Sequence, residues 1–207
     1  MMTTRITRKH FGALALAALA PLALSTAWAQ GGYPSRTVTF VVPAAAGGTT
    51  DISARMAAQA LAPVLGQSVV VDNKGGGNGA IAANIVKRAE PDGYTLLMQY
   101  SGYHVISPHL TKAPQWDQKD FQPIANVISA PQIIVVRDGL PVKTLAELVA
   151  YAKANPGKLN YASSGNGSLQ HVTGAMLEQQ GGIKMVHVPY KGTGPALQDL
   201  LGGQVDL

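Results

Sequence analysis

Two stretches of this 207-residue sequence combine small residues, hydroxyls and a helix start in a pattern suited to holding an anion. The first is Phe40-Val-Val-Pro-Ala-Ala-Ala-Gly-Gly-Thr-Thr-Asp51, and the second is Leu159-Asn-Tyr-Ala-Ser-Ser-Gly-Asn-Gly-Ser168. Each reads as a strand, a small-residue loop and the opening turn of a helix. Without large side chains a ligand can approach the backbone closely. The first N–H groups of the following helix have no intrahelical acceptor and carry a partial positive charge. A carboxylate suits such a place, and two such loops could face each other across a cleft. The same loops are also ordinary architecture in an α/β fold, and Asp51 reads equally well as an acid in a first helical turn.

Other chemistry is less developed. Gly77-Asn-Gly-Ala-Ile-Ala82 fits G-x-G-x-x-A after a strand, but the acidic residue expected about 20 positions on is missing. The sequence has no P-loop, no G-x-S-x-G and no His pair at metal-site spacing, so no cofactor and no metal are expected. Ser164 or Ser168 with His171 could mimic part of a hydrolase dyad. A helix cap and a first-turn side chain are the plainer reading of Ser168 and His171. His104, His109 and His187 stand scattered without suggestive partners. Tyr103 and Tyr190 read as packing or cleft-lining residues. The sequon Asn166-Gly167-Ser168 would matter only in a glycosylating host.

The elements that must position these loops follow from periodicity and punctuation. Thr37 to Val42, Ser68 to Asp72 and Thr95 to Gln99 read as strands, with helices over Asp51 to Leu65 and Ala80 to Ala89. From Ser107 to Gln122, prolines break the pattern into a loop or short turns. Ile124 to Val136 holds two apolar runs around Ala130-Pro131, which suit either an extended crossing between lobes or a pair of strands. Thr144-Leu-Ala-Glu147 is a capping-box pattern opening a helix to about Asn155. Strand, loop and helix then recur over Leu159 to Ala162, Ser163 to Gly167 and Ser168 to Gln180. Lys184 to Val188 is a further strand, followed by a helix from Gly192-Thr-Gly-Pro195 to Gly202-Gly203. Gln204 to Leu207 resembles the opening of one more strand, so the fold is expected to be incomplete at its C-terminus. Alternating β and α segments argue for parallel sheets.

Arg5, Arg8 and Lys9, the uncharged run Phe11 to Leu24, and Ala27-Trp-Ala29 form a secretory signal pattern, with cleavage expected before Gln30. The apolar run is shorter than the roughly 20 residues that span a bilayer. The chain carries 16 basic and 11 acidic residues, net +5, and three of the bases lie in the leader. The remaining charges are scattered with no basic stripe, which argues against a nucleic-acid partner. Cysteine is absent, excluding disulfides, thiolate nucleophiles and thiolate metal sites.

Taken in order, several segments resemble the substrate-binding component of the tripartite tricarboxylate transporter family, the Bug-type receptors. They are Pro43–Asp51 with Ala54-Arg55, Val70–Gly79, Glu90–Thr95, Tyr161–Ser168 with His171, Val188–Gly192 and Asp199–Gly203. Ala44-Ala45-Ala46 departs from the aromatic or second proline usual in the family's first loop. The resemblance implies an α/β, two-lobed periplasmic-binding-protein-like (Venus flytrap) fold, with residues 30–130 in lobe 1 and 131–207 in an unfinished lobe 2. It implies a periplasmic receptor, monomeric when complete and without enzymatic activity, that hands a small carboxylate to membrane permease subunits. By the same resemblance, Ala45, Ala46, Gly47, Thr49, Thr50, Asp51, Ser163, Ser164, Gly165, Asn166, Ser168 and His171 form the grip, with Ser101 and Tyr190 beside them.

Overall fold

The first half is built around β1 (Val38–Val42), whose residues are all β-branched or aromatic and favour an extended backbone. In the computed structural model, which describes residues 32–110 and 116–207, β1 pairs in parallel with two strands. These are β2 (Val69–Asn73) on one side and β3 (Thr95–Leu97) on the other. The leader and the expected cleavage point before Gln30 lie outside the described residues. A central parallel strand is buried on both faces. Val38, Phe40 and Val42 pack with Ala54 and Ala58 of α1 (Thr49–Leu65). Val41 alternates to the other face, where α2 (Ala80–Lys87) packs and buries Ala82 and Ala83 completely. The order β2-β1-β3 reverses direction at β1. Ligands of open parallel sheets bind at such a reversal, beyond the carboxyl ends of the strands. The first candidate loop leaves β1 at that end.

The second half repeats the theme with α3 (Leu145–Ala154), β4 (Asn160–Ser163), α4 (Leu169–Gly181), β5 (Val186–Pro189) and α5 (Thr193–Leu201). β4 and β5 pair in parallel over a core that includes Leu148, Ala152, Leu159, Tyr161 and Met185. Thr144 caps α3 as expected, its hydroxyl accepting the Glu147 N–H at 3.2 Å. The Glu147 carboxylate reaches one residue further back than a capping box does, to the Lys143 N–H at 2.6 Å.

Gln204 to Leu207 forms no regular strand, yet it lies along the free edge of β4. Leu207 donates to the Asn160 carbonyl at 3.2 Å, and Ala162 donates to the Leu207 carbonyl at 2.9 Å. Asp206 fixes the register, with Arg137 Nε at 2.8 Å and the Asn160 N–H at 3.0 Å from its carboxylate. Ile124 to Val136 carries no pair of strands. Pro123 and Pro131 lack the N–H that a ladder needs, and Ile124 and Ile133 are each 77% exposed. From Gly102 to Asp120 the described residues form short turns: a π-turn at Gly102–Ile106 and 3-10 turns at Ser107–Leu110 and Gln118–Asp120. Arg36–Leu207 is one compact body.

Candidate functional site

The β1–α1 loop is held from beneath rather than from above. Asp51, in the first turn of α1, is 3% exposed and turns its carboxylate inward. It accepts the Gly47 N–H at 2.9 Å and the Arg55 Nε–H at 3.1 Å, and the second Arg55 nitrogen stands 3.0 Å away. Burial pushes the Asp51 pKa up, but Arg55, the Gly47 N–H and Asn73 outweigh it and hold the carboxyl below its usual value. Asn73, at the end of β2, braces the same loop by donating to the Ala44 carbonyl at 3.1 Å. Gly47 turns the chain with φ +83°, a left-handed conformation that side chains disfavour. Gly48 is the N-cap and has no side chain to satisfy the helix start. The first-turn N–H groups of α1 therefore lack both intrahelical and side-chain partners. Ala46, Gly47 and Thr49 are exposed around them, while Ala45 and Thr50 are half-buried. Asp51 acts as the loop's brace through Oδ2, while its buried Oδ1 pairs with Arg55 by charge at 3.0 Å without a hydrogen bond.

The β4–α4 loop is tied by its own hydroxyls. Ser168, fully buried, caps α4 by accepting the His171 N–H at 3.3 Å. Ser163 accepts the Gly165 N–H at 3.1 Å and lies 2.6 Å from His187 Nε2. Ser164 donates to Gln170 Oε1 at 3.0 Å, and His171 Nδ1 accepts the Gly167 N–H at 3.0 Å. Ser164 and Ser168 are thus both engaged away from the His171 ring, so neither pair on which a hydrolase reading rests is formed. His187, which has no suggestive partner in the sequence, is corrected by the structure. It bonds Ser163 from β5 and stacks on His171, with ring centroids 4.0 Å apart. Asn166 alone of this turn is exposed.

Neither loop stands free. The β5–α5 turn touches both. Lys191 accepts the Ala45 N–H at 2.8 Å, and Gly192 and Gly194 pack so closely on Ala45 to Gly47 that neither has room for a Cβ. The Tyr190 carbonyl lies against Gly165, its N–H donates to the Ser163 carbonyl at 3.0 Å, and its hydroxyl donates to Asp199 at 2.6 Å. That bond is the first cause of the rise in the Tyr190 pKa to about 12. From the other half, the segment after β3 covers the β4–α4 loop. Tyr103 donates to the Ser164 carbonyl, Tyr100 to Gln170 Oε1 at 3.1 Å, and Gly102 sits against the start of α4. Ser101 is exposed at the head of this segment.

The expected residues are therefore gathered at one end of both sheets, joined by the β5–α5 turn. Gly192, the N-cap of α5, and Gly194, its second residue, were the visible signal of that contact. Among the described residues no group of three or more His, Asp and Glu is arranged to hold a metal.

Comparison with known proteins gives the family and the fold. Residues 53–207 match the family model described as "Tripartite tricarboxylate transporter family receptor". A UPF0065 protein from the TAR-I ttuE–ttuC′ intergenic region of Agrobacterium vitis is 42% identical over 184 residues, covering 87% of this chain and 52% of its own length. Among solved structures, the periplasmic binding protein BugD is 42% identical with a TM-score of 0.74, over 84% of this chain and 58% of that one. MatC from Rhodopseudomonas palustris with bound malate is 38% identical with a TM-score of 0.78, over 84% of this chain and 60% of that one. The chain thus spans about half the length of the curated relative, and its α/β fold matches that of periplasmic binding proteins over 84% of its length. The chain belongs to the tripartite tricarboxylate transporter receptor family.

Proposed function

We propose that this chain is the solute-capturing part of a periplasmic receptor that binds a small carboxylate-containing molecule and presents it to the permease subunits of a tripartite tricarboxylate-type transporter. The observation that carries this reading is the uncapped start of α1, flanked by the exposed Ala46, Gly47 and Thr49. An anion at that point gains hydrogen bonds and a favourable dipole without displacing a protein group. Asp51, braced by Arg55, keeps the loop in place while facing away from the ligand. The β4–α4 turn contributes the second wall through Gly165 and Asn166, and Ser101 a third. Malate bound in MatC, 38% identical to this chain and of the same fold, supports the ligand class.

The receptor works by reversible capture, as a monomer when complete, and carries out no turnover. The internal hydrogen bonds of Ser164, Ser168 and His171 support this over an exported hydrolase. Calorimetric titration with malate, adipate and citrate tests the reading, with the ligand recovered afterwards and checked by NMR. Saturable heat with unchanged ligand is expected; conversion of the ligand, or no binding by any carboxylate, contradicts it.

A further inference from the structure

The glycine-rich loop between β2 and α2, residues 74–79, opens the G-x-G-x-x-A pattern at Gly77–Ala82, and the carboxylate reading leaves it unused. It nonetheless touches each segment around the proposed site. A Cβ on Gly75 would lie 3.0 Å from the Ala45 nitrogen of the β1–α1 loop and 2.9 Å from the Lys191 carbonyl oxygen. Gly79 packs on the Tyr103 side chain, and Ser107 donates to the Asn78 carbonyl at 3.1 Å. On the β4–α4 turn, Asn78 Oδ1 lies 3.8 Å from where a Gly165 Cβ would stand, and the Tyr103 hydroxyl lies 3.7 Å from it.

Asn78 sits at φ +53° and ψ +40°, and among the described residues it is the only non-glycine with a positive φ. Gly76, Gly77 and Gly79 around it share the positive sign, so the backbone alone asks for a fourth glycine. Asparagine tolerates this region because its short polar side chain can bond the local backbone. Here it does not. The half-buried Asn78 amide makes no hydrogen bond to any described residue, and only the Asn78 carbonyl is engaged. Non-glycine residues held in the left-handed region cluster at ligand sites. We infer that the Asn78 amide is a ligand donor of this site, giving an N–H to a carboxylate oxygen lodged against the Gly165–Asn166 turn. The inference rests on the carboxylate-receptor reading and adds a neutral side-chain donor on a further segment. Contacts at Gly75, Asn78 and Gly79 pin the loop from both sides, so the donor is carried on a fixed frame and loses little freedom on binding. Its two N–H groups suit an anion whose remaining partners are backbone N–H groups.

Asn78→Gly removes the side chain while suiting the backbone, so it separates ligand contact from folding. It is expected to melt close to or above the parent by circular dichroism, and to bind malate about tenfold more weakly by calorimetry, the loss of one hydrogen bond to a charged group. Asn78→Asp keeps the size and the tolerance of positive φ but exchanges both N–H donors for carboxylate oxygens, and should weaken malate binding further. In the ¹⁵N-labelled full chain, the side-chain N–H pair missing from the Asn78→Gly spectrum belongs to Asn78. That pair should shift with malate alongside the Gly165 amide. Parent-like affinity in either variant, an Asn78 pair that stays still while Gly165 moves, or an Asn78→Gly protein that melts well below the parent would each overturn the inference alone. If no amide of the two loops responds to malate, the carboxylate reading falls and this inference falls with it.

Discussion

Gly194→Ala is the substitution that most sharply separates close backbone contact from helix propensity. Gly194 is the second residue of α5, and on propensity alone alanine there should stabilise the helix by about 1 kcal/mol. A Cβ at this position, however, would overlap the Ala46 carbonyl oxygen and stand 3.2 Å from the Gly47 carbonyl carbon. These are backbone atoms, so no side chain can swing away. The β1–α1 loop must shift, and the Ala45 N–H to Lys191 carbonyl bond is strained with it. Overpacking of this kind costs about 1–3 kcal/mol, and the lost hydrogen bond adds about 1 kcal/mol. After subtracting the propensity gain, a net loss of about 1–3 kcal/mol is expected, or a melting point lower by roughly 2–12 °C for a chain of this size. Gly181→Ala is the control. It also lies in a helix, but its Cβ would meet only Ile183 at 3.5 Å, ordinary contact, so it should be neutral or stabilising by up to about 1 kcal/mol. Thermal melts followed by circular dichroism compare the two. A Gly194→Ala protein as stable as the Gly181→Ala protein would refute the idea that the β5–α5 turn clasps the β1–α1 loop.

Asp51→Asn should flatten the acid limb of the stability curve. The depressed carboxyl contributes stability above its free value of 3.8 that is lost as pH falls through its folded value, and chemical denaturation at pH 7 and pH 3 reads the difference. At pH 7 the same variant leaves Arg55 without its ion pair and should be less stable by about 1–3 kcal/mol. Gly47→Leu forces a side chain into φ +83° at a cost of about 1–2 kcal/mol and covers the start of α1. Calorimetry should show carboxylate binding lost with the far-UV spectrum close to the parent, and parent-like affinity would remove Gly47 from the site. Intact-mass analysis of periplasmic extract should find Gln30 as the first residue, and a retained Arg5–Ala29 segment would contradict that cleavage.

The strands, helices and both anion-suited loops were legible because their signals are local. The unbroken β-branched run of β1, the glycines after it and the Thr144 cap each act over a few residues. Boundaries moved by only a residue or two, as with Val186–Pro189 against the expected Lys184 to Val188. What escaped is long-range. Ser163 meets His187 across 24 positions, Tyr103 meets Ser164 across 61 and Tyr100 meets Gln170 across 70. Nothing in the residue types marks those pairs, because a tyrosine beside a polar turn and a histidine on a strand both fit ordinary packing. Asp51 shows the same limit in reverse. In the sequence Asp51 fits a ligand contact and a first-turn acid equally well, and only its burial against Arg55 and Gly47 makes it a brace.

Amide shift mapping of the ¹⁵N-labelled chain during titration with malate and adipate tests the central claim most directly. The amides of Gly48, Thr49 and Thr50 and those of Gly165 and Asn166 should move together with one shared dissociation constant, and the dimethyl ester of the same acid should move none of them. Shifts confined to other surfaces, or an ester that acts like the free acid, would show that the two loops are not a carboxylate site.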